Sequence, residues 1–177
     1  MFTRTGNRTN LMYQVGAAWR SPGFEINDLG FMRNADELNQ FAWLSYVRRD
    51  PAGIFNNWQA NANTWQDWDF GGARLGRAAN PDVSGQFRGQ QRWQLSAPRN
   101  SERLSNTELR GGPASLWPGG WEYEGSFSND ERRALRLEAG AYGSNQDEDT
   151  RDAWTAWAEA TWQPTNGLRL AREPRLL

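Results

Sequence analysis

The 177-residue sequence predicts an all-β protein, an antiparallel up-and-down meander of about eight strands that forms a segment of a membrane β-barrel. Three observations predict it. Apolar residues recur with period two in one segment after another, as side chains do when they alternate between the faces of a strand. No run of about 18 apolar residues exists, which excludes a membrane-spanning helix, whereas a barrel meets lipid with only every second residue. Finally, Trp154, Ala156, Ala158, Ala160 and Trp162 share one parity, so they fall on one strand face with an indole at each end. Eight residues at ~3.3 Å separate these indoles by roughly 26 Å, close to the ~25 Å apolar band of a transmembrane barrel with its aromatic girdles.

The elements follow in order. From Asn10 to Trp19, Leu11, Tyr13, Val15, Ala17 and Trp19 alternate with Asn10, Met12, Gln14, Gly16 and Ala18, a strand. Ser21 to Glu37 carries Pro22, Gly23 and Gly30 without a sustained period and reads as a loop. Leu38 to Val47 has high strand propensity, with Phe41, Trp43 and Val47 on one side and Leu38, Ala42, Leu44 and Tyr46 on the other, so its facing stays open. After the turn Arg49 to Gly53, the segment Ile54 to Thr64 sets Asn57, Gln59, Asn61 and Asn63 against Trp58, Ala60, Ala62 and Thr64. Four amides on one face want water or a polar ligand.

A loop from Gly71-Gly72 to Asn80-Pro81 leads to a strand over Gly85 to Leu95, with Phe87, Trp93 and Leu95 opposing Gln86, Arg88, Gln90, Arg92 and Gln94. Ser96 to Gly120 reads as a long connection. Trp121, Tyr123 and Phe127 then alternate with Glu122, Glu124, Ser126 and Ser128 up to a tight turn at Asn129-Asp130. Arg133 to Gly143 returns with Leu135, Leu137, Ala139 and Ala141 on one face, and the acidic tip Asn145 to Asp149 connects it to the Trp strand. Pro164 to Gly167 turns into Leu168-Arg169-Leu170. Short turns alternating with longer loops suit a barrel with one short-looped end. A soluble sandwich or jelly roll shows the same alternation, and that alternative predicts apolar faces meeting in a core.

Residues 1–177 read as one domain in which 171–177 break the strand pattern. Met1 to Gly6 lacks the charged-then-apolar order of a secretory signal, so the chain is expected to be an internal piece of a larger barrel. Such a piece, with edges that lipid cannot solvate, is expected to aggregate when isolated.

Composition removes several function classes. Eleven Trp, four Tyr and eight Phe accompany no Cys and no His, and all twenty basic residues are Arg. Disulfides, thiol chemistry and the usual zinc, copper and haem ligands are absent, as is the usual general base. The net charge of −1 is spread along the chain, which leaves no basic face for nucleic acid. A mean hydropathy of −0.89 is low for a protein that buries a large core.

The loop Ser21-Pro22-Gly23-Phe24-Glu25-Ile26-Asn27-Asp28-Leu29-Gly30-Phe31, the segment Trp68-Asp69-Phe70-Gly71-Gly72 and the segment Leu109-Arg110-Gly111-Gly112-Pro113 resemble a bacterial domain of unknown function, family 5916. The resemblance spans nearly the whole chain to about Leu170. It implies the C-terminal outer-membrane β-barrel of proteins that usually carry an N-terminal family-9-like carbohydrate-binding module, and it implies no catalytic residues. No such module lies in this sequence.

Candidate chemistry is sparse. Glu25 with Asp28, Asp67 with Asp69, or Glu122 with Glu124 are carboxylate pairs of the kind a glycosidase uses, although carboxylates near Arg74, Arg77 or Arg88 more commonly form ion pairs. Asp147 to Asp149 with Asp152 lacks the spacing of a calcium loop and reads as a solvated tip. Arg110-Gly111-Gly112-Pro113 lacks the Lys-Ser or Lys-Thr of a phosphate loop and reads as a turn. Ser21 to Phe31 either constricts a lumen or braces the wall, and Trp65 and Trp68 either stack on sugars or serve as girdle or packing residues.

The expected function is therefore non-enzymatic, in envelope transport or surface carbohydrate binding at the bacterial outer membrane. Outer-membrane lipid is the expected partner, carbohydrate a candidate ligand, and no cofactor or metal is called for. Asn57, Gln59, Asn61, Asn63, Arg88, Arg92, Glu25, Asp28 and Arg110 are the candidate binding residues in lumen or loop, and Trp154 and Trp162 the candidate membrane girdle. A soluble secreted β-sheet module that binds glycans is the alternative, and a glycoside hydrolase a third class.

Overall fold

Strands form at most places where period two is legible, and also at the N-terminus, before Gly85, within the expected connection Ser96 to Gly120 and near the C-terminus. The computed structural model describes residues 2–8, 10–24, 35–105, 115–149, 151–165, 168–172 and 175–176. Its strands are β1 (Phe2–Arg8), β2 (Leu11–Arg20), β3 (Glu37–Arg48), β4 (Phe55–Trp68), β5 (Arg74–Phe87), β6 (Arg92–Ser96), β7 (Arg99–Asn100), β8 (Arg103–Ser105), β9 (Ser115–Trp117), β10 (Gly120–Ser128), β11 (Leu135–Gln146), β12 (Asp152–Thr165), β13 (Leu168–Arg172) and β14 (Arg175–Leu176). A 3-10 turn at Asp147–Asp149 is the one helical element among the described residues.

One antiparallel sheet runs β1-β2-β3-β4-β5-β6-β10-β11-β12-β13, an up-and-down meander. The one other sheet among the described residues is the two-stranded β8–β9, so the two large facing sheets of the sandwich alternative are not found there. β7 extends β6 and pairs with both β5 and β10, while β14 pairs with β12 beyond β13. β1 and β13 are the two edges. β8 and β9 form a separate small hairpin between β7 and β10.

Ten strands lie side by side where the sequence suggests about eight. β1 has no apolar face to announce it: Arg4 and Gly6 alternate with Thr3 and Thr5. β5 occupies the expected loop before Gly85, and Asn80-Pro81, which reads as a turn, lies within it opposite Asn63 and Ala62. Pro81 lacks an N–H but still accepts one from Ala97, and Pro98 likewise accepts from Glu122. Two prolines withdraw two ladder donors at the point where β6 and β7 part, although the register on both sides is unbroken.

Gly85 to Leu95 is a hairpin rather than a single strand. Phe87 N–H donates to the Gln91 carbonyl and Gln90 N–H to the Phe87 carbonyl, with Gln90 at φ 70°. The closing pair, Phe87 and Gln91, share parity, so odd residues stay on one face through the turn and the pattern imitates an uninterrupted strand. The connection expected to be tight at Asn129-Asp130 spans 129–134, with the Asn129 side chain bonding Leu135 and Leu137 backbone. Within the expected break at 171–177, Ala171 and Arg172 belong to β13, and Arg175 and Leu176 pair with Trp157 and Ala156.

Connections sort by end. At one end they span 9–10, 49–54, 88–91, 129–134 and 166–167; at the other they span 21–36, 69–73, 101–119 and 147–151. The two longest connections, β2 to β3 and β7 to β10, share the second end, while every connection at the first is six residues or fewer.

Register decides which residues share a face. One face carries Leu11, Tyr13, Val15, Ala17 and Trp19 on β2, with Leu38, Ala42, Leu44 and Tyr46 on β3, which settles the open facing of that strand. It continues through Trp58, Ala60, Ala62 and Trp68 on β4. Val83, Leu95, Trp93 and Phe127 follow, then Leu135, Leu137, Ala139 and Ala141 against Trp162, Ala160, Ala158 and Ala156. The opposite face carries the amides, acids and hydroxyls. Gly143 lies beneath the Trp154 ring: a Cβ there would sit 2.5 Å from it. Gly143→Leu therefore should cost about 1–3 kcal/mol, read by urea unfolding in detergent micelles, whereas Gly23→Ala, with open space around it, should change nothing measurable.

Candidate functional site

The two faces have opposite chemistry, and the apolar one carries large exposed side chains. Trp154 is 63% and Trp162 48% exposed on the apolar face, with Leu95, Phe127, Leu135 and Leu137 exposed beside them. The most buried side chains are polar: Ser45 at 2% and Thr161 at 3%. Both belong to the other face by register, Ser45 opposite Asn61 and Thr161 opposite Arg136.

Aromatic residues edge the apolar face at both ends. At the long-connection end, Trp121, Tyr123 and Trp154 stack in series with centroids 6.2 Å apart at each step. At the short-turn end, Tyr46 meets Trp58 at 5.3 Å, and Phe55, Phe87 and Trp93 cluster within 6.3 Å. Trp154 and Trp162 are one residue each of two such rows. The remainder escape sequence reading because cross-strand register, unknown beforehand, brings them into line.

Both rows climb across the sheet together. The paired row through Trp154 passes Gly143, Tyr123, Pro81, Ala62 and Leu44 to Tyr13, whereas the aromatic residue of that end on β2 is Trp19, six residues further along. The row through Tyr46 and Leu11 reaches Ala156 on β12, again six residues from Trp162. Six residues at ~3.3 Å, spread over the strand spacings of about 4.8 Å between β12 and β2, tilt the strands by roughly 30° from the perpendicular to the aromatic rows. The apolar face is broken by Gln40 and Gln66 near the long-connection end, which satisfy each other at 2.6 Å.

The polar face is a laced surface. Asn39 donates to Asp67 and Asn61 to Asp82, each at 2.6 Å. Asn57 donates to Gln86 at 3.4 Å, and Gln86 to Gln90 at 3.0 Å. Asn63 donates to the Asn80 carbonyl. A depression of about 700 Å³ spans this face near the short-turn end, lined among others by Asn57, Gln59, Gln86, Arg92, Gln94 and Glu138. Arg92 pairs with Glu131 at its rim.

Of the candidate binding residues, Asn57, Gln59 and Arg92 line this depression, and Asn61 and Asn63 continue the same face toward the other end. Arg88 does not join them: it lies in the 88–91 turn, where its Nε donates to the Gly53 carbonyl at 2.7 Å. Glu25, Asp28 and Arg110 lie outside the described residues. Asp67 and Asp69 are not a facing pair, because the Asp69 carboxylate closes the β4–β5 turn by accepting the Ala73 N–H. Glu122 and Glu124 are on the polar face, opposite Ser144 and Tyr142. Trp65 and Trp68 part company, Trp65 on the polar face and Trp68 on the apolar one. The acidic tip is not merely solvated, since Arg99 donates twice to Asp147, at 2.9 and 2.7 Å.

The β8–β9 hairpin packs over the polar face at the long-connection end. Gly76 is on that face opposite Asp67, and a Cβ there would meet Arg103 Cγ at 3.3 Å. Arg103 also lies over the Trp117 ring, 5.9 Å from its centroid. Ser101 anchors the approach to the hairpin, its Oγ accepting from Arg77 N–H and its own N–H donating to the Arg77 carbonyl.

These features define an antiparallel meander sheet with one exposed apolar face and one hydrogen-bonded polar face. The chain belongs to the family described as Domain of unknown function (DUF5916), which matches residues 2–174. No curated protein and no solved structure matches it.

In the 129–134 connection, the Arg132 guanidinium and its backbone N–H bond the Asp130 carboxylate and hold its pKa down to about 2. A depressed carboxyl pKa contributes stability above the unfolded value, near ~4, and that contribution is lost as pH falls through the folded value. Carboxyl NMR titration in micelles should place Asp130 near the low figure, and Arg132→Gln should return it toward the ordinary range.

Proposed function

We propose that this chain is a wall of a bacterial outer-membrane β-barrel, with its apolar face against lipid and its polar face lining an aqueous route for polar solutes. The observation that carries this reading is the reversed polarity of the sheet. A soluble sheet buries its apolar face, whereas a barrel strand in lipid turns that face outward, and only a sheet whose strands satisfy one another's backbone groups is tolerated there. The two aromatic rows support it independently. Eight residues of strand tilted by roughly 30° give a band height of about 23 Å, near the ~25 Å expected between interfacial girdles. The two longest connections, both at one end, support that end as the outer side and the other as the periplasmic side.

Transport is favoured over catalysis by the ties of Asp67 and Asp82 to neighbouring amides, while the facing pair Glu138 and Glu159 is served by Thr161, which donates to Glu159. Passage of a polar solute asks only for exchangeable hydrogen bonds, which Asn57, Gln59, Gln86 and Gln94 offer along the depression.

Partitioning of the refolded chain into phospholipid vesicles tests the reading. Blue-shifted Trp emission with quenching by brominated acyl chains is expected; a folded monomer in plain buffer that ignores vesicles overturns it. Ala158 is midway between Trp154 and Trp162, so Ala158→Arg should cost about 2–4 kcal/mol of folding stability in vesicles. Gln59→Arg, on the polar face, should stay within about 0.5 kcal/mol of the parent. The chain has no Cys, so single-cysteine variants are clean reporters of sidedness. A membrane-impermeant maleimide should label Gly71→Cys on intact cells, and Glu131→Cys only after permeabilisation.

A further inference from the structure

Rings gather at one place on the polar face of β3 and β4. Phe41 is opposite Trp65, and Trp43 is opposite Asn63 on the same side. Diagonal neighbours across an antiparallel pair lie only ~7–8 Å apart, so the three rings form one patch. Trp65 is 39% exposed, although it points away from the apolar face and belongs to neither aromatic row. The lipid-facing role that accounts for Trp68 is therefore closed to it.

The rim of the patch is amide and carboxylate. Asn39 and Asp67 form a hydrogen-bonded pair one position from the Phe41–Trp65 pair, and Asn63 is the next residue on that face from Trp65. Asn61 and Asp82 form a second pair beyond it. The β8–β9 hairpin shares this end of the face, where Ala78, opposite Trp65, is 5% exposed. A solute entering from the long-connection end meets the hairpin and the patch together.

We infer that this patch binds neutral hexose oligosaccharides, a pyranose ring stacking on Trp65 with its hydroxyls bonded by Asn39, Asn63 and Asp67. A pyranose offers an apolar C–H face for an indole and a rim of hydroxyls that both donate and accept. Amides and carboxylates match that rim in both senses. Asp67 and Asp82 disfavour an anionic ligand, and their amide partners already supply donors to both carboxylates. The inference rests on the proposed function, because it takes the polar face to be open to water.

The test is titration of the vesicle-inserted full chain with maltohexaose, cellohexaose and chitohexaose, followed by Trp emission and calorimetry, with choline as a cationic comparison. At least one oligosaccharide should bind. Trp65→Ala should weaken that binding about tenfold or more, as should Trp65→Leu, which keeps an apolar side chain for packing but lacks a flat ring. Trp68→Ala, on the opposite face, should bind as the parent does. Binding of choline alone, binding of no probe by an inserted chain, or undiminished binding by Trp65→Leu overturns the inference and leaves the barrel reading standing. Failure of the parent chain to insert overturns both.

Discussion

Register is the constraint on which the rest of this sheet depends. Side chains alternate with period two, so a slip of one residue at any strand pair would carry a whole row of leucines, alanines and tryptophans to the polar side. From β2 to β12 the pairings hold the apolar parity on one face, including across the β5–β6 hairpin, where the parity is conserved, and across β10–β11, where Phe127 meets Ala139. Small residues make that register sterically possible. Gly143 and Gly140 lie beneath the Trp154 and Trp157 rings, on opposite faces of the same hairpin, so each indole lies across its neighbour instead of standing away from it.

The distribution of burial follows from the apolar side being covered by no second sheet among the described residues. In water, a face holding exposed Trp154, Trp162, Leu95 and Phe127 would be an unfavourable surface. In lipid the same face is at rest, and the polar side becomes the one that needs managing. It is managed by short cross-strand bonds, Asn39 to Asp67 and Asn61 to Asp82, which leave few side chains stranded and keep the strands paired where hydrophobic contact is lacking.

The polar face is also uneven along its length. Near the short turns it is a depression of amides, serines and a paired Arg92; near the long connections it acquires rings and the β8–β9 hairpin. Such unevenness is unnecessary for a wall that only separates lipid from water. A route that handles a particular solute needs it, because affinity is wanted at one level and release at the others.

Much of this was available from residue order alone. The strand from Asp152 to Gln163 is legible because turn residues isolate it and its even positions are unmistakable; the same holds for the amide face of β4. Composition alone removed thiol, histidine and basic-groove chemistry. Patterning failed at β1, where neither face is apolar, and at β5, where Asn80-Pro81 carries a turn signal inside a ladder that neighbouring carbonyls still complete. It failed at Gly85 to Leu95 because a hairpin closed by residues of equal parity leaves no mark in the alternation. It also placed Trp65 beside Trp68 without separating their roles, although one residue of parity divides them. The sequence by itself determined that strands would form and which side chains would travel together. The tertiary structure alone decided that the apolar side is exposed, that two aromatic rows exist and that they run obliquely to the paired rows, because period two is the same for a buried face and an exposed one, and only long-range pairing distinguishes them.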